Sequence, residues 1–260
     1  MTHQKMIGTE NPGLIVLLID QSSSMKDAYG DSSKAQIAAD AVNSLIYEIQ
    51  EASYAGSTIK PRCRVAVIGY GAEIKVIASA MINELAEHYT TTRRVSKQLR
   101  GEQIEFEVPV WVEPTAVNGT PMREAFERAL ELISDWAAAQ QNSYPPVVIN
   151  ITDGEPNDMS GARRAAAAIS AIRTLDGEAL LFNVHVSSRQ TGEIVLPSSA
   201  ANLDEFGTFL FDISSPLPET LLAQGHSAGF APQAGARGFV YNASPETLIK
   251  LLAFGSMNLR

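Results

Sequence analysis

Two apolar runs that each end at an aspartate constrain the fold of this chain more than any other feature. The first is Gly-Leu-Ile-Val-Leu-Leu-Ile-Asp at residues 13–20, and the second covers residues 146–152 and is followed by Asp153. Continuous Val, Ile and Leu without polar alternation is typical of strands buried on both faces of a parallel sheet. Ligands of open α/β sheets bind just beyond the carboxyl ends of such strands. We therefore expect both aspartates at a ligand-binding edge.

Helical and strand patterns alternate along the rest of the chain. Apolar residues at helical spacing predict helices over 34–51, 121–139 and 161–175, and Ser244 and Pro245 begin a last helix that ends near 254. Thr120 is predicted to be the N-cap of the helix that begins at Pro121. Strands are predicted over 64–70, 73–78, 179–186 and 238–242, with weaker signals at 105–112 and 208–213.

This alternation predicts an α/β fold with a doubly wound, mostly parallel central sheet and helices on both faces. The turn at Gly71 is tight enough for residues 73–78 to return as one antiparallel edge strand. A length of 260 residues suits one domain covering residues 1–260. The regular alternation is interrupted at about 81–114 and 187–237. We interpret these segments as insertions that carry partner specificity.

Composition excludes some classes of partner. The net charge of −9 argues against nucleic acid, because phosphate contacts need clustered Lys and Arg. No run approaches the roughly 20 apolar residues of a membrane-spanning helix. Residues 1–11 are polar, unlike a secretory signal, and Cys63 as the single cysteine cannot form an internal disulfide. We therefore expect a cytoplasmic protein with neither a nucleic-acid nor a membrane partner.

Oxygen-bearing side chains follow the predicted strand ends. Asp20, Ser22 and Ser24 are spaced two residues apart, Thr120 precedes a helix, and Asp153 follows the second apolar run. Taken singly, each has an ordinary structural explanation: a loop residue, a helix cap or a turn. Taken together they form an all-oxygen set that suits Mg²⁺, Mn²⁺ or Ca²⁺ and is a poor match for Zn²⁺. We therefore predict a metal site made by these five residues.

This order of residues resembles the metal-ion-dependent adhesion site of von Willebrand factor A domains and integrin I domains. The resemblance covers most of the chain and rests on three separate segments. It implies that Ser22, Ser24 and Thr120 contact a cation, for which Mg²⁺ is our first choice. It also implies that Asp20 and Asp153 act through water.

A finer resemblance concerns bacterial cytosolic proteins of the tellurite-resistance type. The segments Ser-Ser-Pro-Leu-Pro-Glu at 214–219 and Gly-Phe-Val-Tyr-Asn-Ala-Ser-Pro at 238–245 are similar to segments of that group. Its members are often encoded beside a protein kinase and a PP2C-like phosphatase, which are therefore the implied partners. One departure is Ser23, where the family commonly has glycine. Serine fits there if its backbone φ is negative.

Three functions are compatible with this site. The first is a non-enzymatic protein-binding module whose cation coordinates an Asp or Glu of a protein partner. The alternative is a metal-dependent phosphohydrolase with Asp20 as nucleophile. That chemistry usually needs a second aspartate two residues on as general acid, and Ser22 occupies that position. The third is a scaffold that folds alike and holds no metal.

Overall fold

The computed structural model describes residues 3–99, 102–187 and 192–255. Its strands are β1 (Gly13–Asp20), β2 (Ala28–Tyr29), β3 (Ser32–Ser33), β4 (Tyr54–Ala55), β5 (Thr58–Ile59), β6 (Cys63–Tyr70), β7 (Ile74–Met81), β8 (Thr91–Leu99), β9 (Glu102–Val110), β10 (Val147–Thr152), β11 (Arg173–Thr174), β12 (Gly177–Glu178), β13 (Leu180–Val186), β14 (Ile194–Val195) and β15 (Phe239–Ala243). Its helices are α1 (Lys34–Ser53), α2 (Ile82–Leu85), α3 (Met122–Ala139), α4 (Met159–Ala171), α5 (Glu205–Ile213), α6 (Glu219–Ser227) and α7 (Pro245–Gly255), and a 3-10 turn covers Ser23–Lys26.

The central sheet has seven strands within the described residues, in the order β14-β15-β13-β10-β1-β6-β7. The five inner strands run parallel. At one edge β7 returns antiparallel to β6, which confirms the edge strand predicted after the Gly71 turn. At the other edge the two-residue strand β14 also pairs antiparallel, with β15. The predicted α/β fold with a mostly parallel sheet is therefore confirmed.

Strand β1 is covered by helices on both faces. Ile15 and Leu17 belong to the core that α1 and α7 complete, whereas Val16 and Leu18 belong to the core under α3 and α4. A fully buried Leu or Ile side chain contributes about 1.5–3 kcal/mol relative to an exposed one. Because both faces of β1 are buried in apolar surroundings, its sequence is a continuous hydrophobic run. Burial on both sides also holds its carboxyl end in place.

A chain of hydrogen-bonded polar side chains crosses the sheet within this core. The Tyr70 hydroxyl donates to Asn150 Oδ1 at 2.7 Å, and Asn150 Nδ2 donates to Asn183 Oδ1 at 3.0 Å. Asn183 Nδ2 donates in turn to Ser214 Oγ at 2.9 Å, at the end of α5. All four residues are buried. Pairing them with one another offsets the cost of removing hydroxyl and amide groups from water.

The strand predicted over 208–213 is wrong, because these residues are the last six of the nine residues of α5. Asp204 begins this helix as its N-cap: its side chain accepts from the Gly207 amide at 2.7 Å. The apolar residues of α5 also recur at helical rather than alternating spacing. The buried ones at that spacing are Phe206, Phe209, Leu210 and Ile213.

The segments predicted to be insertions contain regular structure. Residues 81–114 include α2 and a hairpin in which β8 and β9 pair over nine residues, from Thr91 with Val110 to Leu99 with Glu102. Residues 187–237 include β14, α5 and α6. Within the described ranges, no helix combines the length and the apolar composition that crossing a membrane requires.

Replacing Asp204 by alanine should destabilise the fold by about 1–2 kcal/mol, because two hydrogen bonds are lost. Its side chain caps α5 through Gly207 and also accepts from the Tyr241 hydroxyl at 2.6 Å, which ties α5 to β15. Urea unfolding measures the change. Asp212→Ala is the matched control: Asp212 lies on the same helix and makes a surface ion pair with Arg163 at 3.3 Å, worth about 0–1 kcal/mol. Equal losses in the two variants would contradict the assignment.

Candidate metal centre

The ends of β1 and β10 lie side by side at the carboxyl edge of the sheet. The two strands are parallel neighbours, with Ile19 opposite Ile151. Asp20 is therefore the last residue of β1, next to Thr152 at the end of β10, and Asp153 follows directly. The two apolar runs that end at aspartates therefore lie next to each other at one edge of the sheet, as predicted.

Asp20 is fully buried and both of its carboxylate oxygens accept hydrogen bonds. The Ser22 amide donates to Oδ1 at 2.8 Å, and Thr152 Oγ1 donates to Oδ2 at 2.6 Å. Burial raises the pKa of Asp20 to about 6; the hydrogen bonds from Thr152 and Ser22 oppose this rise and the nearby Asp153 adds to it. A nearby cation would favour the ionised form of this carboxyl group.

The hydroxyls of Ser22 and Ser24 point to the same space beyond Asp20. Ser22 Oγ lies 3.1 Å from Ser24 Oγ, and Ser24 Oγ donates to Asp153 Oδ1 at 2.8 Å. The 3-10 turn that begins at Ser23 brings the two hydroxyls together. Ser23 is not among the described residues with positive φ, so serine is accommodated at the position where the family commonly has glycine.

Thr120 borders the same space from a different loop. A Cβ atom placed on Gly154 would lie 3.5 Å from Thr120 Oγ1 and 3.8 Å from Ser24 Oγ. Asn157 holds Thr120 by its backbone: Asn157 Oδ1 accepts from the Thr120 amide at 3.2 Å, and the Asn157 amide donates to the Thr120 carbonyl at 3.0 Å. The structure therefore brings together all five residues predicted for the site.

The prediction that Thr120 caps helix α3 is wrong. The helix begins at Met122 and its N-cap position is Pro121. The Thr120 carbonyl accepts from the Met122 amide at 2.8 Å, so the backbone of Thr120 leads into the helix while its hydroxyl borders the site.

Sequence reasoning missed Lys34, which enters the site from the first turn of α1. Its Nζ donates to Asp153 Oδ2 at 2.7 Å and lies 3.4 Å from Asp27 Oδ2. The side chains of Lys34 and Asp153 are 6% and 0% exposed. The sequence did contain a signal. A cation in the first turn of a helix opposes the helix dipole, and the residue four positions on, Ala38, offers no acidic side chain to pair with it.

Thr152 was also missed. It is a polar residue that ends an otherwise apolar strand, and its hydroxyl is bonded to Asp20. Such a residue at a buried strand end requires a partner, which is the signal that could have identified it.

The donors fit a hard divalent cation. Neighbouring ligands of an octahedral Mg²⁺ at about 2.1 Å lie about 3 Å from one another. The oxygen spacings of 3.1 Å between Ser22 and Ser24 and 2.8 Å between Ser24 and Asp153 are close to that value. Among the described residues no three His, Cys, Asp or Glu side chains come together, so hydroxyl oxygens have to complete any metal site here.

Comparison with known families identifies the family of this chain. The sequence profile of the von Willebrand factor type A domain matches residues 15–155, more than half of the 260 residues. The chain belongs to the von Willebrand factor type A domain family. The matched range contains Asp20, Ser22, Ser24, Thr120 and Asp153, so the five converging residues all lie inside the family domain.

Solved structures of other proteins share the fold. The pilus adhesin SpaC from Lactobacillus rhamnosus GG superposes with a TM-score of 0.59 at 10% identity, covering 98% of this chain and 31% of the adhesin. The proximal thread matrix protein 1 from the mussel byssus, solved with a zinc-occupied MIDAS motif, has a TM-score of 0.54 at 14% identity, covering 94% of this chain. The chain spans 47% of the mussel protein's length. No curated protein matches the sequence.

Replacing Thr152 by valine should destabilise the metal-free protein by about 1.5–3 kcal/mol. The change preserves shape but removes the hydroxyl that donates to the buried Asp20 carboxylate, and a hydrogen bond to a charged group is worth about that much. Urea unfolding in the presence of EDTA measures the loss. Thr152→Ser keeps the hydroxyl and should retain most of the stability. Equal stability of the valine variant and the wild type would refute the role given to Thr152.

Proposed function

We propose that the chain is a non-enzymatic protein-binding module that works through a divalent cation. Asp20, Ser22, Ser24, Thr120 and Asp153 hold the ion, with Mg²⁺ as first choice and Mn²⁺ or Ca²⁺ as the alternatives. The observation that carries this proposal is the contact between Ser24 Oγ and Asp153 Oδ1, 2.8 Å apart although 129 residues separate them in sequence. Two distant oxygen-bearing loops meet at the ligand-binding edge of the sheet.

The chemistry of these residues supports binding to an acidic partner. Three of the five supply neutral hydroxyls, and the resemblance implies that the two aspartates act through water. The direct ligands would therefore leave the charge of the cation itself incompletely neutralised, so that it attracts an external carboxylate. The mussel protein described above carries zinc in its MIDAS motif, which supports a metal at the equivalent place here. It also means that Zn²⁺, expected above to be a poor match, belongs in any test of metal preference.

A cavity beside the site offers a contact surface for the partner. Its volume is about 370 Å³, and its walls include Gln21 and Val117. The Val117 amide donates to the Gln21 carbonyl at 2.6 Å, so this wall is continuous with the loop that carries Ser22. Glu73, Glu113 and Lys75 are among the cavity's charged wall residues. Because the two glutamates outnumber the lysine, we propose that the partner's acidic residue is flanked by basic ones.

The finer identity is also part of the proposal. We propose that the whole chain is one domain of the tellurite-resistance type in the bacterial cytoplasm, with a protein kinase or a PP2C-like phosphatase as partner. Its support is the similarity of residues 214–219 and 238–245 to that group. The hairpin β8–β9, within the segment expected to be an insertion, supplies additional surface for a specific partner.

The phosphohydrolase alternative receives less support. As a nucleophile Asp20 would need one oxygen directed at the substrate. Both of its oxygens accept hydrogen bonds instead, from Ser22 and Thr152, and the side chain is fully buried. Ser22 occupies the position of the usual general acid and has no suitable pKa.

Metal titration tests the proposed ligands. Calorimetry with Mg²⁺, Mn²⁺, Ca²⁺ and Zn²⁺ should detect one site in the wild type, and Ser24→Ala or Thr120→Ala should weaken it at least about tenfold, since each removes one oxygen ligand. Ser23→Ala is the matched control: Ser23 is exposed between the two proposed serine ligands and should leave the affinity within about twofold. Absence of any divalent site in the wild type would refute the proposal and favour the metal-free scaffold.

Chelation tests the role of the metal in partner binding. Affinity capture from the native cell should recover a partner in Mg²⁺ and lose it in EDTA, because the proposed contact runs through the ion. Asp153→Ala should lose the same partner in Mg²⁺. A partner retained equally in EDTA would contradict the model of binding, and hydrolysis of p-nitrophenyl phosphate that Asp20→Asn abolishes would establish the enzymatic alternative.

A further inference from the structure

The ammonium group of Lys34 lies inside the candidate metal centre. It donates to Asp153 Oδ2 at 2.7 Å, and Asp153 Oδ1 accepts from Ser24 Oγ at 2.8 Å. The two oxygens of one carboxylate therefore contact a lysine on one side and a proposed metal ligand on the other. Both charged side chains are almost completely removed from water, so their mutual attraction is weakly screened.

The position of Lys34 is set by the site and not by its helix. Lys34 is the first residue of α1, where the helix dipole favours anions and disfavours cations. Asp153 and Asp27, which lie 2.7 Å and 3.4 Å from Nζ, supply the attraction that outweighs this effect. Asp27 lies at the end of the 3-10 turn that carries Ser24, so both carboxylates belong to the loops of the site.

Lys34 changes the net charge of the site both without and with a bound cation. Among the buried groups, Asp20 and Asp153 together contribute two negative charges when ionised, and Lys34 contributes one positive charge. The Asp27 side chain is 60% exposed, so water screens its charge and it is left out of this count. A divalent cation without Lys34 would leave these groups neutral. With Lys34 the same loaded site has an excess charge of +1, which one carboxylate from outside would neutralise.

We propose that Lys34 is a built-in counter-ion that weakens cation binding and strengthens binding of a carboxylate to the loaded site. This inference rests on the proposed function, because it assigns a role in the same metal centre. The two effects follow from one charge: the ammonium repels an incoming cation and competes with it for Asp153, and it attracts the acidic ligand that completes the loaded site. A lysine with a merely structural role would not move the two affinities in opposite directions.

Lys34→Met provides the test, because methionine keeps an unbranched apolar stem and removes the charge. Calorimetric titration of the metal-free protein with Mn²⁺ should show about tenfold tighter binding or more in the variant, the scale expected for removing a nearby like charge in a buried site. Acetate is then titrated into the Mn²⁺-saturated protein, with water proton relaxation reporting displacement of metal-bound water. Acetate binding should weaken about tenfold.

Three further variants make the result specific. Lys34→Arg keeps the positive charge and should leave both affinities within about threefold of wild type. Lys26→Met removes an exposed lysine from the 3-10 turn that carries Ser24 and should change neither affinity by more than about twofold. Lys34→Gln is a second neutral variant whose side-chain amide keeps a hydrogen-bond donor, and it replaces the methionine variant if circular dichroism shows that the latter is unfolded.

The outcomes separate this inference from the proposed function. Tighter Mn²⁺ binding together with weaker acetate binding supports the role of Lys34. A folded neutral variant with wild-type affinities for both refutes that role while leaving the metal site intact. If the folded wild type binds no Mn²⁺, the proposed function itself fails and the counter-ion role fails with it.

Discussion

Burial of two carboxylates at the ends of adjacent parallel strands is the constraint on which the rest of this structure depends. Asp20 is completely enclosed, and the side chain of Asp153 has no exposed surface. Ionised groups in such places are costly unless donors or cations surround them. The partners are Thr152 at the end of β10, the Ser22 amide and Lys34 at the start of α1. The positions of these partners are therefore a consequence of where the two strands end.

The doubly wound sheet is what makes this burial possible. Helices on both faces of β1 exclude water up to its last residue, and the parallel neighbour β10 ends at the same level. Three loops then close over the strand ends. The Ser23 amide donates to the Asn118 carbonyl at 2.8 Å, and Asn157 holds Thr120. The hydroxyls that face the site are thus positioned by backbone contacts between loops that are far apart in sequence.

Sequence patterns predicted the parts of this fold that local physics determines. Apolar runs identified β1 and β10, because strands buried on both faces need no alternation, and the order of Asp20, Ser22, Ser24, Thr120 and Asp153 identified residues that the structure brings together. Whether they bind a metal remains a prediction.

The failures have both local and tertiary causes. Residues 208–213 are helical because the Asp204 cap and helical spacing override a β-like composition. Pro121, and not Thr120, occupies the N-cap position of α3. Lys34 and Thr152 were missed because their partners lie 119 and 132 residues away, beyond the reach of any local pattern.

The row of buried side chains from Tyr70 to Ser214 has a consequence for how the chain can assemble. Each member finds its partner only when β6, β10 and β13 occupy their native lateral order and alignment. If a strand were displaced by one residue, its asparagine would turn to the opposite, apolar face of the sheet. The side-chain amide would then be buried without a hydrogen-bond partner. Apolar contacts alone tolerate many near-equivalent alignments of Val, Ile and Leu. The row therefore disfavours sheets with a shifted strand register and favours the alignment in which both aspartates lie at the same edge.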